Sequence, residues 1–264
     1  MTGILEDLLK RLDGGLAAET PIVPWASPIP FFGEIGGADL ATLGLNPSNL
    51  EFCDEQGKEL DAAARRFHTL GSLGLKRWSM ATGEDKKGIL DRCRRYFEID
   101  GNPYSRWFEP LDEVISETGH SFYRRPEKKT AVHLDLVPFA TMCKWSELGA
   151  KRENLLALGE GALFEVLRDS NVRVLVLNGA GVVKHFEDLL HTRLEREAVP
   201  AWTLNWKNGP RPGFAFKGTV HELSGRELGR TISIVGYSHN IQGTPGTQEI
   251  RKEIGRWIRD RIGL

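Results

Sequence analysis

The chain has 264 residues, 40% of them hydrophobic and 27% charged, so it can bury a sizeable core, and disorder over most of its length is excluded. Its 35 basic and 36 acidic side chains leave a formal charge of -1, which excludes a global pull onto a polyanion; DNA affinity would have to come from local charge. Cys53, Cys93 and Cys143 lie far apart, without C-x-x-C spacing or a flanking histidine pair, which argues against a zinc site or an iron–sulfur cluster and for a reducing compartment.

In chain order, residues 1–12 read as a short amphipathic helix containing Glu6 and Asp7 rather than a basic region followed by an apolar run. No segment approaches the ~20 apolar residues of a membrane span, so a cytoplasmic protein without membrane contact is expected. Four short apolar runs follow, at 39–45, 130–137, 172–177 and 231–235, rich in leucine and β-branched residues. Such runs fit strands buried on both faces of a parallel sheet, with helices as crossovers. The expected fold is α/β: a three-layer α/β/α sandwich around a four-stranded parallel sheet. Helical periodicity marks 60–70, 86–97 and 108–118, with a Gly101-Asn102-Pro103 turn between the last two. Alternation at 202–206 and 214–220, on either side of Asn208-Gly209-Pro210-Arg211-Pro212-Gly213, predicts an inserted β-hairpin. Residues 247–262 place Ile250, Ile254, Trp257, Ile258 and Ile262 at helical spacing. Without a repeat or linker, 1–264 reads as one domain.

Ligands in open parallel sheets bind beyond the carboxyl ends of strands. Those ends carry Gly44-Leu45-Asn46-Pro47-Ser48-Asn49, Asp135-Leu136-Val137-Pro138-Phe139, Asn178-Gly179-Ala180-Gly181 and Gly236-Tyr237-Ser238-His239-Asn240. Each has an ordinary reading: a capped turn for Asn-Pro-Ser, close helix packing for Asn-Gly-Ala-Gly, a hydrogen-bonded histidine for His239. Their shared placement at strand ends points to a site. The basic groups Lys76-Arg77, Lys86-Lys87, Arg92-Arg94-Arg95 and Arg124-Arg125 with Lys128-Lys129 are candidate local charge, or solvated faces.

Gly44-Leu45-Asn46-Pro47-Ser48 resembles the first motif of the uracil-DNA glycosylase superfamily, especially its mismatch-specific and single-strand-selective branches, where Gly stands in place of Ser48. His239-Asn240 falls where the last motif of that superfamily places a His or Asn, and the third strand with Gly179 is similar as well; the likeness in order and topology runs over roughly residues 33–264. It implies a sheet that grips DNA along the strand ends and flips a pyrimidine nucleotide into a pocket. By that resemblance Asn46 holds the attacking water, and His239, as neutral imidazole, donates a hydrogen bond to the departing base. Phe52 is the candidate for stacking on the base, the other reading being a core aromatic that anchors the loop. Ser48 and Gly179 would contact DNA, and Ile241-Gln242-Gly243 would wedge into the vacated stack, an ordinary glycine turn being the alternative. Asn240 joins the base-binding set. No lysine lies at these strand ends to act as an amine nucleophile, so a monofunctional enzyme leaving an abasic site is implied, with neither metal nor other cofactor. A monomer is expected.

Asp135 falls near where the superfamily presents a base-reading Asn. A carboxylate only accepts, which suits the N4 amino group of cytosine rather than the O4 of uracil. A modified cytosine bearing a bulky 5-substituent, as in some bacteriophage DNAs, is one expected substrate, with a role in antiviral defence. The other is uracil in mismatches, with Asp135 structural and His133 nearer the base. A catalytically inert DNA-binding member of the fold and a small-molecule nucleosidase are the rival functions.

Overall fold

The computed structural model describes the chain except Ile99, Gly101, Lys207, Asn208, 243–246 and Leu264, and the side chains of Leu16 and Trp206. The chain folds into two compact units of three segments each. The first comprises Met1–Ile35, Leu45–Tyr104 and Leu134–Asp169; the second comprises Gly36–Gly44, Ser105–His133 and Ser170–Leu264.

The second unit carries the sheet, apart from the last two residues of β3, which belong to the first. Its strands are β1 (Leu40–Gly44), β2 (His120–Ser121), β3 (Lys129–Asp135), β4 (Val174–Asn178), β5 (Glu195–Trp206), β6 (Gly209–Leu223) and β7 (Arg226–Tyr237). They are arranged β2-β3-β1-β4-β7-β6-β5. The four apolar runs are β1, β3, β4 and β7, and they are consecutive in the sheet as β3-β1-β4-β7. β1 and β7 flank β4 in parallel, Leu40 opposite Val174 and Val174 opposite Ser233. Every residue of β1 and β4 is buried, as strands covered on both faces require.

The sheet is not the four-stranded parallel one expected. Among the described residues it has seven strands and is mixed: β6 pairs antiparallel with β7 and β5 antiparallel with β6. The hairpin is therefore an extension of the sheet. Its second turn is Ser224-Gly225, both with positive φ (51° and 73°) between paired Leu223 and Arg226, a two-residue turn whose twist matches that of the strands. The expected turn at 208–213 is strand from Gly209 onward, and Asn208 lies outside the described residues. Pro210 and Pro212 are tolerated because that end of β6 has β5 but no β7 residue beside it, the pairing with β7 beginning at Ala215.

Helix Thr2–Leu12 of the first unit buries Ile4, Leu5, Leu8, Leu9 and Leu12 on one stripe. Helix Gly83–Arg94 starts at a capping box, with Thr82 and Asp85 satisfying each other's backbone amides. Its core is aromatic: Tyr96 stacks on Phe67 at 5.1 Å, and Phe32 meets both edge-on. The helix expected at 60–70 does not form. Asp61 Oδ1 accepts from the amides of Ala63 and Ala64 (3.0 Å each), and this local capture holds the segment in turns. In the second unit, helices Ser105–Ser116 and Gln248–Ile262 pack together. The contact is close at Gly255, where a Cβ would collide with Val114 O. Of the 101–103 turn, Asn102 has φ 50°, and Gly101 lies outside the described residues. No helix among the described residues is long and apolar enough to cross a membrane.

Candidate functional site

The loop that follows β1 opens the second segment of the first unit. Leu45 O accepts from Val137 N at 3.0 Å, which ties this loop to the segment following β3. The Asn46 amide nitrogen is then held by three oxygens: Pro47 O (2.9 Å), Thr141 Oγ1 (3.0 Å) and Phe139 O (3.5 Å). Two are carbonyls, which only accept, and Thr141 spends its own proton on Cys143 O at 2.7 Å. The orientation of the amide is thereby fixed. Its Oδ1 accepts no hydrogen bond from the described residues.

Ser48 lies at φ −71° and ψ 148°, extended backbone open to any residue, so no glycine is required here. Its hydroxyl accepts from Leu50 N at 3.1 Å and caps the short 3-10 turn Asn49–Glu51. The cap sets Glu51, which is 2% exposed. Tyr96 Oη lies 2.8 Å from both Glu51 oxygens and accepts from Tyr104 N at 2.9 Å. A phenol has one proton, so it serves one carboxylate oxygen; the second contact is filled when Glu51 is itself protonated. Arg66 Nε lies 3.9 Å from Glu51, while its Nη1 donates to Leu50 O at 2.8 Å. Burial raises the Glu51 carboxyl to about 7, and the Asp135 charge adds to the rise, against the Tyr96 hydrogen bond and the Arg66 cation. A carboxyl poised there exchanges protons at neutral pH.

Asp135, the last residue of β3, is buried in the same unit, within electrostatic range of Glu51. Phe52 is also there, 2% exposed, edge-on to Trp25 at 6.3 Å and tilted against Phe67 at 5.7 Å. Its ring anchors the loop from the core, the second of the two readings given for it. Asn46, Ser48, Phe52 and Asp135 thus belong to one unit, and Glu51, Tyr96, Arg66 and Thr141 join them.

His239 belongs to the second unit, with Gly179, Asn240, Ile241 and Gln242. Its Nε2 lies 2.6 Å from Trp202 O. A carbonyl only accepts, so Nε2 carries the proton of the neutral ring, and Nδ1 donates to a ligand only in the imidazolium. Neutral imidazole, in this position, has no further N–H to offer a base. Gly179 has φ 94°; its amide donates to Tyr237 O and that of Ala180 to Ser238 O, so the first amides of helix Ala180–Leu190 are spent on β7 and the residue after it. Ile241 is fully buried, and its carbonyl accepts from Arg251 at 3.0 Å, so it fills the core rather than standing out as a wedge. The Gln242 amide nitrogen is buried without a partner among the described residues, Asn240 is exposed, and Gly243 lies outside the described residues. His133 bonds Thr42 Oγ1 at 2.7 Å and meets the rings of Phe108 and Phe122 edge-on, a satisfied core histidine.

Glu51 was not singled out in the sequence. The one signal was a carboxylate between Leu50 and Phe52, apolar neighbours that foretell burial. Among the described residues no group of three His, Cys, Asp or Glu side chains is placed to hold a metal ion. Comparison with protein-family models and with curated protein sequences gives no match.

Proposed function

We propose that this protein is a monofunctional DNA glycosylase that flips out a pyrimidine nucleotide and hydrolyses its N-glycosidic bond, leaving an abasic site. The observation that supports it is the Asn46 amide, its nitrogen held by three acceptors and its oxygen without a donor among the described residues, in one loop with buried Glu51, whose carboxyl is raised to about 7. Asn46 Oδ1 orients a water towards the anomeric carbon. As the water oxygen bonds to that carbon, its proton passes to the Glu51 carboxylate, and the electron pair of the glycosidic bond leaves on the base. General-base catalysis of this kind contributes about 10²- to 10⁴-fold. The parallel pairing of β1 with β4 and of β4 with β7 supports a parallel sheet centre of the kind the motif resemblance implies.

Asp135 is the base-reading residue in this proposal. As a carboxylate it accepts from the N4 amino group of a cytosine derivative, a contact that discriminates by about 1–3 kcal/mol. A pocket demanding a 5-substituent would spare ordinary cytosine and direct the enzyme to hypermodified phage DNA. A part for His239 requires its imidazolium, since the single N–H of the neutral ring is engaged by Trp202 O.

The test is to incubate the protein with oligonucleotides carrying uracil, mismatched thymine, cytosine and 5-substituted cytosines, and to reveal abasic sites with alkali. Asn46→Ala is expected to abolish cleavage while costing only about 1 kcal/mol of stability, and Asp135→Asn to shift preference towards uracil. No abasic product from any of these substrates, or full activity in Asn46→Ala, overturns the reading.

A further inference from the structure

A cavity of about 280 Å³ opens in the first unit between the 66–68 segment, helix Gly83–Arg94 and the turn after it. Arg66, His68, Arg92 and Arg95 line it, with Asp91 and Asp100. Both carboxylates are already matched, Asp91 by Arg94 at 2.8 Å and Asp100 by Arg95. Arg92 and the neighbouring Arg65 have no carboxylate within ion-pair distance among the described residues, and Arg65 Nε is buried without a hydrogen-bond partner. Among the described residues Arg92 and Arg65 therefore leave the cavity with a cationic excess.

We propose that this cavity binds a phosphate group, and that its ligand is a phosphodiester of a nucleic-acid strand. Guanidinium groups offer paired donors that match phosphate oxygens, and partial enclosure strengthens each contact. His68 reports the local field: burial lowers its pKa, and the charges of Arg92 and Arg65 lower it further, against Asp85. An anion seated here relieves that repulsion. Gly88 supports the geometry, because a side chain there would begin 3.5 Å from His68 Nε2 and fill the space beside the ring. Arg66 gives the site a position relevant to the chemistry. It lines the cavity and also donates to Leu50 O, the residue before Glu51, so one wall of the cavity is tied to the loop that carries Asn46. The inference goes beyond the glycosylase reading, since such a site binds a strand whether or not a base is excised.

Two titrations of the full chain test it. In the first, inorganic phosphate is added while the His68 imidazole is followed by NMR; a rise in its pKa is expected. In the second, binding of a fluorescent single-stranded oligonucleotide is measured over a range of salt concentrations for the native protein, Arg92→Ala and Arg65→Gln, with circular dichroism to verify folding. Each variant is expected to weaken binding by about tenfold, and to reduce the slope of log affinity on log salt by about 1. A phosphate response with oligonucleotide affinity and slope unchanged in both variants overturns the nucleic-acid assignment in favour of a free phosphate compound. No response in either titration overturns the site. Excision by these variants at saturating protein is expected to persist, so loss of the site and failure of the glycosylase reading are read separately.

Discussion

Glu51 combines two properties that oppose each other. Its carboxyl, ordinarily at 4.5, is held at about 7 in the folded chain, so between those values the native state keeps a proton that the unfolded chain has released. Stability is therefore highest at or below pH 4.5 as far as this group is concerned, and falls as pH rises to about 7, by on the order of 3 kcal/mol in total. Glu51→Gln removes the charge and keeps a partner for Tyr96. It is expected to be more stable than the native chain at pH 8 and nearly equal at pH 5, read by thermal unfolding at both. Under the proposed glycosylase function, the same variant is expected to lose about 10²-fold or more in excision rate, and the native rate to rise with pH to a midpoint near 7. A rate that falls through that midpoint would make Glu51 an acid. The turn that carries Asn46 was legible in the sequence, because Asn-Pro-Ser after an apolar run favours a turn leading to a cap. Glu51 was not, because its state depends on Tyr96, Arg66 and Asp135, which arrive from three other segments and leave no local pattern.

At the scale of elements, two glycines set how closely neighbours approach. A Cβ at Gly213 would collide with Trp202 and come within 2.9 Å of His239 Nε2; one at Gly255 would collide with Val114 O and meet Glu117 Cβ at 2.7 Å. Gly213→Ala and Gly255→Ala are each expected to cost about 1–3 kcal/mol in denaturant unfolding. Only the first is expected to shift the His239 imidazole resonances as well. The strands at the middle of the sheet could be read from sequence because burial on both faces demands continuous apolar runs, as in β1 and β4. The outer strands could not be bounded that way. β6 presents Lys217, His221 and Glu222 to solvent, and β7 begins with exposed Arg226 and Glu227, so their ends resemble loop. The failed helix at 60–70 shows the converse: apolar spacing was present, and one aspartate hydrogen-bonding to nearby amides outweighed it.

For the whole molecule, the three cysteines separate by environment. Cys53 and Cys93 are buried, and burial raises both thiols, Cys93 to about 12; Cys143 is partly exposed. Iodoacetamide at pH 8 is expected to label Cys143 alone in the native protein and all three in denaturant, as read by mass spectrometry. Labelling of Cys93 without denaturant would contradict the packing described. The division into two units was not legible at all, because neither is continuous in the chain and composition does not change at the crossings. That interleaving bears on biosynthesis. β1 is translated early, yet the strand opposite it, β4, begins only at Val174, and β7 follows from Arg226. A nascent chain that has reached Asp169 holds every segment of the first unit and β3, while β1, buried along its whole length in the finished fold, still awaits β4 on its other edge. Translation thus passes through a stage with an exposed sticky edge, the kind of intermediate that chaperones shield.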